Sequence, residues 1–274
     1  MSQLSARSSS LAMRWLLLNN SRYFDKLHVA WGHERFLPLS PFYLTRKRLI
    51  MQMIEEIDSL NLSVLDIGCG IGDLLSTLRA KGFSSHGVDL SIFALRAARF
   101  RVKDADLIQA DARFLPYRSS SYGAILCSEV LEHIQRDDQV VEEIHRILAE
   151  NGVAIVTVPQ GEQHWTEEDR EDGHLRRYSK TRLVRMFEPI SFRIEDLICW
   201  GFPMAVIFRK MVSTPIFSRR LHERASKSRL IGGVELLLRF VVALFRIDDV
   251  FSSLHLGLGL ILKARRMSKI RQVT

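Results

Sequence analysis

The stretch Ser63-Val-Leu-Asp-Ile-Gly-Cys-Gly-Ile-Gly-Asp73 decides the fold of this chain. Val64, Leu65 and Ile67 form a short apolar run that reads as a buried parallel strand. Asp66 lies inside the run, near its carboxyl end. Gly68, Gly70 and Gly72 follow at alternate positions, and Leu74, Leu75 and Leu78 then begin a helical spacing. A strand, a glycine turn and a helix form the crevice at which an open α/β sheet binds ligands. Glycines without a Cβ are expected to let a ligand approach the backbone there. A carboxylate at that mouth argues against a bound pyrophosphate and for a ligand that carries positive charge.

S-adenosylmethionine, with its sulfonium and ammonium, carries such charge. Leu65-Asp-Ile-Gly-Cys-Gly-Ile-Gly72 resembles the first motif of the class I S-adenosylmethionine-dependent methyltransferases. The resemblance implies a cofactor turn made by Asp66, Gly68, Cys69, Gly70 and Gly72. A NAD-dependent dehydrogenase is the competing reading. Its fingerprint is G-x-G-x-x-G with an acid roughly 20 residues on, a condition that Asp89 would meet. Here the spacing is G-x-G-x-G, and Asp66 stands upstream of it.

Two more strands end on acids. Ser84 to Asp89 is the second, and Ser91 is a good N-cap for the helix after it. Asp89, adjoined by Leu90, is expected to accept hydrogen bonds from both ribose hydroxyls. Asp106 to Asp111 is the third, and by the resemblance Asp111 accepts the adenine amino group while the Ala112 N–H reaches the ring. Tyr122 to Ser128 reads as a fourth strand, with Ser128 and Glu129 at the cofactor. Val140, Val141, Ile144, Ile147 and Leu148 follow helical spacing, Asn151-Gly152 is expected to stop that helix, and Val153 to Val158 is a fifth strand. From Val64 to Phe187 the chain is similar to the methyltransferase subfamily that includes the ubiquinone-biosynthesis enzymes. The expected fold is therefore α/β: a doubly wound, Rossmann-like sheet of seven strands, with a helical insertion before the last strand.

The acceptor side is expected just beyond the fourth strand. Some relatives with a sequence like Glu129-Val-Leu-Glu132-His133 bind a divalent metal through both acids and the histidine. The other reading, adopted here without a metal, has Glu129 facing the cofactor and His133 facing the substrate as a base. Gln160 to Asp172 reads as a polar lid loop. Gly173-His-Leu-Arg-Arg-Tyr178 then resembles an acceptor-facing family sequence, which makes His174 and Tyr178 proton-handling candidates and Arg176 an anion-binding one.

Residues 1–60 are expected to form a helical cap, 61–200 the cofactor-binding core, 201–255 an apolar and basic insertion, and 256–274 the final strand with a basic tail. Leu11 to Leu18 is broken by Arg14 and lacks a cleavage site, so no signal peptide is expected. Three cysteines in no metal-ligand spacing suit a reducing cytoplasm. With 47% hydrophobic residues the chain can bury a full core, and its net charge of +8 points to an anionic partner. Nucleic acid is disfavoured, because the insertion alternates basic residues with long aliphatic runs. An interfacial helix on an anionic membrane surface requires that combination, but a plain acceptor cap or dimer contact fits it as well. The expected partner is a small-molecule or lipid-linked acceptor, methylated on oxygen or nitrogen rather than carbon. A membrane-docking protein that keeps the fold without turnover is the alternative.

Overall fold

The computed structural model describes residues 40–57, 62–212, 240–254 and 256–268. The expected segments Leu11 to Leu18, Trp31 to Pro38 and Arg219 to Arg229, and half of the apolar run Val234 to Phe245, lie outside them. Seven strands, β1 (Ser63–Ile67), β2 (Ser84–Asp89), β3 (Leu107–Gln109), β4 (Tyr122–Ser128), β5 (Leu148–Pro159), β6 (Phe192–Trp200) and β7 (Gly259–Arg266), form one sheet. Its order is β3-β2-β1-β4-β5-β7-β6, and β7 alone runs antiparallel to its neighbours. The helices are α1 (Pro41–Glu55), α2 (Asp73–Ala80), α3 (Ile92–Arg101), α4 (Asp137–Ile147), α5 (Glu167–Glu171), α6 (Lys180–Phe187) and α7 (Met204–Val212).

The continuous apolar runs in the strands follow from covering the sheet on both faces. Leu65, Ile67, Ile125 and Cys127 pack under Val140, Val141 and Ile144 of α4 and Leu183 and Phe187 of α6. Their neighbours Val64, Ala124 and Leu126 face Ile54 of α1, Leu75 and Leu78 of α2 and Ala98 of α3. Strand order reverses beside β1, which opens the ligand crevice at the carboxyl edge. Register fixes what stands there: Ile67 is level with Val88 on one side and Cys127 on the other. The glycine turn therefore leaves the sheet between Asp89 and Ser128.

Ser91 caps α3 as expected, its Oγ accepting the Ala94 N–H at 3.1 Å. Ser179 caps α6 in the same way. Three expectations need correction. The third strand is shorter than Asp106 to Asp111, with Leu107–Gln109 paired to β2. Asn151-Gly152 does not stop α4, which already ends at Ile147. Those residues bulge out of β5, where Leu148 pairs with Tyr122 and Val153 with Ala124. The polar run from Gln160 to Asp172 is not all loop. It holds a 3-10 turn, Glu162–His164, and α5, because the Asp169 carboxylate takes both the Thr166 N–H at 2.7 Å and its hydroxyl at 3.0 Å.

The chain between β6 and β7 is an insertion, as expected, and it departs from the carboxyl edge of the sheet. Within it α7 and residues 240–254 are described. Ala205, Val241, Phe245 and Leu258 form a small separate core, and Phe42 of α1 stacks on Phe208 and Phe245 with ring centroids 5.9 and 5.6 Å away. Asp248 receives the Met204 and Ala205 N–H groups at the start of α7. No helix among the described residues is long and apolar enough to cross a membrane.

Candidate active site

Gly68, Gly70 and Gly72 all have positive φ, at 72°, 52° and 74°. Their roles differ. A Cβ on Gly68 would strike Val130 Cγ2 at 2.4 Å, and one on Gly72 would strike Ala98 of α3 at 2.9 Å, so these two are small for packing. A Cβ on Gly70 would meet nothing within 4 Å. Gly70 alone therefore borders open space, and a ligand is expected to fill it.

Asp66 is 2% exposed, and no described residue donates a hydrogen bond to its carboxylate. Burial, and then the charge of Asp89, raise its pKa to about 8. A buried acid left without a partner is costly, and a cation placed beside it would supply one. Asp89 is half-buried and bridges the site. One carboxylate oxygen accepts the Gly70 N–H and the other the Ser91 N–H, both at 2.8 Å. Cys69 is buried, and its N–H donates to Val88 O at 3.0 Å. Leu90 is half-buried, its carbonyl held by Gln109.

Asp111 is less available than the resemblance implies. Arg113 donates to its Oδ2 at 2.6 Å and, through Nε and its backbone N–H, to Oδ1. Ala112, half-buried beside it, packs on the core. At the end of β4, Ser128 Oγ meets Thr157 Oγ1 at 2.9 Å, and Thr157 donates to Glu129 Oε1 at 2.9 Å. Glu129 has φ 56° and pairs through Oε2 with Arg46 of α1 at 3.2 Å. Helix α1 thus closes over the crevice. Its Tyr43 and Lys47 both donate to Asp73 Oδ2, at 2.7 and 2.5 Å. These three α1 residues were missed in the sequence reading. The signal was there in their i, i+3, i+4 spacing, which puts Tyr43, Arg46 and Lys47 on one helical face.

On the acceptor side, Glu132 is fully buried and neither of its oxygens has a hydrogen-bond partner among the described residues. Burial, and then Glu129, push its pKa well up. The His133 and His174 rings meet edge to face with centroids 4.8 Å apart. Burial first, and then the neighbouring His174, lower the His133 pKa to about 3. The acids and histidine of Glu129, Glu132 and His133 do not gather as one ligand set, because Glu129 is engaged by Arg46 and Thr157. The donors that do converge are those of Glu132, His133 and His174, with atoms within 4.8 Å of one another.

Tyr178 also needs correction. It is fully buried, and its hydroxyl donates to Asp137 Oδ2 at 2.8 Å. Arg176 and Arg182 reach the same oxygen at 2.8 and 2.9 Å. Tyr178 and Arg176 therefore anchor the Gly173 to Tyr178 segment to α4 instead of facing an acceptor. Tyr178→Phe is expected to cost about 1 kcal/mol of stability, the net value of one hydrogen bond. That corresponds to a melting temperature lower by about 2–4 °C, with cofactor affinity unchanged. A scanning-calorimetry melt paired with a cofactor titration checks both.

The comparisons with known proteins agree with this architecture. The Methyltransferase GfsG of Streptomyces halstedii is 34% identical over 143 residues, covering 49% of this chain and 51% of that protein. The ubiquinone biosynthesis O-methyltransferase of Histophilus somni (strain 2336) is 27% identical over 141 residues, covering 47% and 58%. The chain thus matches only about half the length of these curated relatives. Among solved structures, the Haemonchus contortus phosphoethanolamine N-methyltransferase 2 bound to S-adenosyl-L-methionine superimposes with a TM-score of 0.56 at 17% identity, covering 81% of this chain and 52% of that one. The cyclase SpnF does so with 0.56 at 22% identity, covering 81% and 82%. Such identities speak to the fold alone. The model of a methyltransferase-domain family matches residues 33–197, more than half of the chain. With that match spanning β1 to β5, the glycine turn and the acids that follow it, the chain belongs to the methyltransferase-domain family.

Proposed function

We propose that this protein moves a methyl group from S-adenosylmethionine to an oxygen or nitrogen of a small-molecule or lipid-linked acceptor. One observation carries the reading: the unpartnered, buried Asp66 carboxylate lies at the same turn as Gly70, the single turn glycine that borders open space. A cationic cofactor suits that pair, and a pyrophosphate does not. When bound, S-adenosylmethionine supplies an electrophilic methyl on sulfur. Asp66 offers charge to its ammonium, Asp89 accepts from the ribose, and Gly70 lets the backbone come close. Because transfer is an in-line displacement, the protein contributes mainly alignment. The names of the curated relatives, which include O-methyltransferases, support oxygen as the acceptor atom. Calorimetry with S-adenosylmethionine and, separately, NAD tests the class. Binding of NAD alone would overturn it. Mass spectrometry of a lipid extract incubated with protein and cofactor should show a species heavier by one methylene.

The insertion supports an interfacial position at the inner, cytoplasmic face of a membrane. Ile207, Met211, Phe240, Val250 and Leu254 are exposed on its described parts. The sequence adds Arg219, Arg220, Arg224, Lys227 and Arg229. Each basic residue near an anionic leaflet is worth about 1 kcal/mol. Charge reversal at Arg219, Arg220 and Arg224 should then cut binding to anionic vesicles at low salt at least tenfold and spare cofactor affinity. Sedimentation that finds wild-type protein unbound at low salt would favour a plain acceptor cap.

A further inference from the structure

Asp169 belongs to no motif that the sequence reading used, yet more side chains converge on it than on any acid at the crevice. It is 1% exposed. His174 Nδ1 lies 2.8 Å from Oδ1, and Arg177, itself buried, donates to Oδ2 at 2.8 Å with the same nitrogen 2.7 Å from Oδ1. Thr166 contributes its N–H and hydroxyl to Oδ2. Arg209, from α7 of the insertion, bonds Thr166 Oγ1 at 3.0 Å and lies 3.9 Å from Oδ2. The backbone repeats the tie, since the His174 N–H donates to Asp169 O at 2.8 Å. Next along the chain, the Leu175 N–H donates to Glu132 O at 2.8 Å, which holds His174 over the end of β4.

We propose that Asp169 is a positioning residue for His174: it keeps the imidazole proton on Nδ1, so that Nε2 is the base that takes the acceptor's proton. The inference rests on the methyl-transfer reading above. An ionised carboxylate can only accept, so its histidine neighbour must donate. Burial alone would raise the Asp169 pKa, but the Arg177 hydrogen bonds and the Thr166 N–H outweigh it and leave a value of about 2. The proton therefore sits on Nδ1, and the lone pair on Nε2. In the reaction the acceptor O–H or N–H bond breaks and its proton moves to Nε2. The electron pair left on the acceptor atom forms the bond to the methyl carbon. The carbon–sulfur bond breaks with its pair going to sulfur, which becomes a neutral thioether. The resulting imidazolium faces the Asp169 carboxylate, then returns its proton to water.

Asp169→Asn separates this role from packing. Arg177 and the Thr166 N–H both require an acceptor, so the asparagine carbonyl oxygen should face them and its NH2 should face His174. That donor forces the proton from Nδ1 to Nε2. Long-range 1H–15N spectra of 15N-histidine-labelled full-length protein, with His174 assigned by His174→Gln, read the tautomer without any acceptor. The expected result is Nδ1–H in the wild type and Nε2–H in Asp169→Asn, with the affinity for S-adenosylmethionine changed less than twofold. Methyl transfer into a lipid extract should fall about a hundredfold or more, the usual worth of a placed base. Asp169→Glu should restore part of both. Nε2–H in the wild type overturns the proposal even if the variant fails to fold. So does a variant that keeps Nδ1–H, or a stoichiometric metal ion on Nε2 found by elemental analysis. If S-adenosylmethionine does not bind, the methyl-transfer reading fails, whatever the tautomer.

Discussion

Asp89→Ala is expected to weaken S-adenosylmethionine binding by about 1.5–3 kcal/mol, roughly 10- to 150-fold, the cost of losing hydrogen bonds to a charged acceptor. The geometry adds a structural reason. The carboxylate holds the Gly70 N–H on one oxygen and the Ser91 N–H on the other, so its loss loosens both the cofactor turn and the entry to α3. Asp89→Asn should help little, because an amide oxygen and an NH2 group cannot both accept. Ser91→Ala is the control. It removes the α3 cap and should cost about 1 kcal/mol of stability while keeping most of the affinity. Calorimetry on folded protein checks all three. An Asp89→Ala variant that binds as tightly as wild type would remove Asp89 from the ribose.

What the sequence revealed and what it hid have physical causes. Period and turn chemistry are local, so β1 and β4 were legible from apolar runs, β2 from the acid that ends it, and Ser91 from its capping position. The reversal of strand order followed from the glycine turn and the acids after it. Partnership is not local. Nothing near Tyr178 in sequence says that its hydroxyl meets Asp137, 41 residues earlier. Nor does the Glu129-to-His133 run say that Arg46 takes one of its acids from the other side of the sheet's edge. The glycines make the same point. All three were legible as a turn, but only packing against Val130 and Ala98 separates two structural glycines from the one at the ligand's side. Asp169 was read as part of a polar loop because its role depends on His174 and Arg177 from the Gly173 to Tyr178 segment and on Arg209 from α7. The basic heart of the insertion lies outside the described residues, so the sequence remains its sole witness.

Binding of S-adenosylmethionine at pH 7 is expected to release close to one proton from Asp66. Burial first, and Asp89 second, raise that carboxyl to about 8, so in the ligand-free protein it is mostly protonated at neutral pH. A cation beside it favours the carboxylate, and the proton leaves. Affinity should then rise up to tenfold per pH unit between about pH 6 and 8 and level off above that. Stability of the ligand-free protein must move the other way. The folded pKa lies above the ordinary value of 3.8, so the folded state binds the proton more tightly. The Asp66 contribution is therefore greatest below about pH 4, falls as pH rises through about 8, and is flat beyond. Two measurements check this: calorimetry in buffers of different ionisation enthalpy, and ligand-free melts across the same range. Asp66→Asn is the control, since the cofactor's own amino group titrates near pH 8. The variant should lose most of the buffer-dependent heat and flatten the melting profile, while binding the cofactor more weakly. Wild-type binding heats that are identical in phosphate and Tris at pH 7 would mean that Asp66 keeps its proton, and that the positive end of the cofactor lies elsewhere.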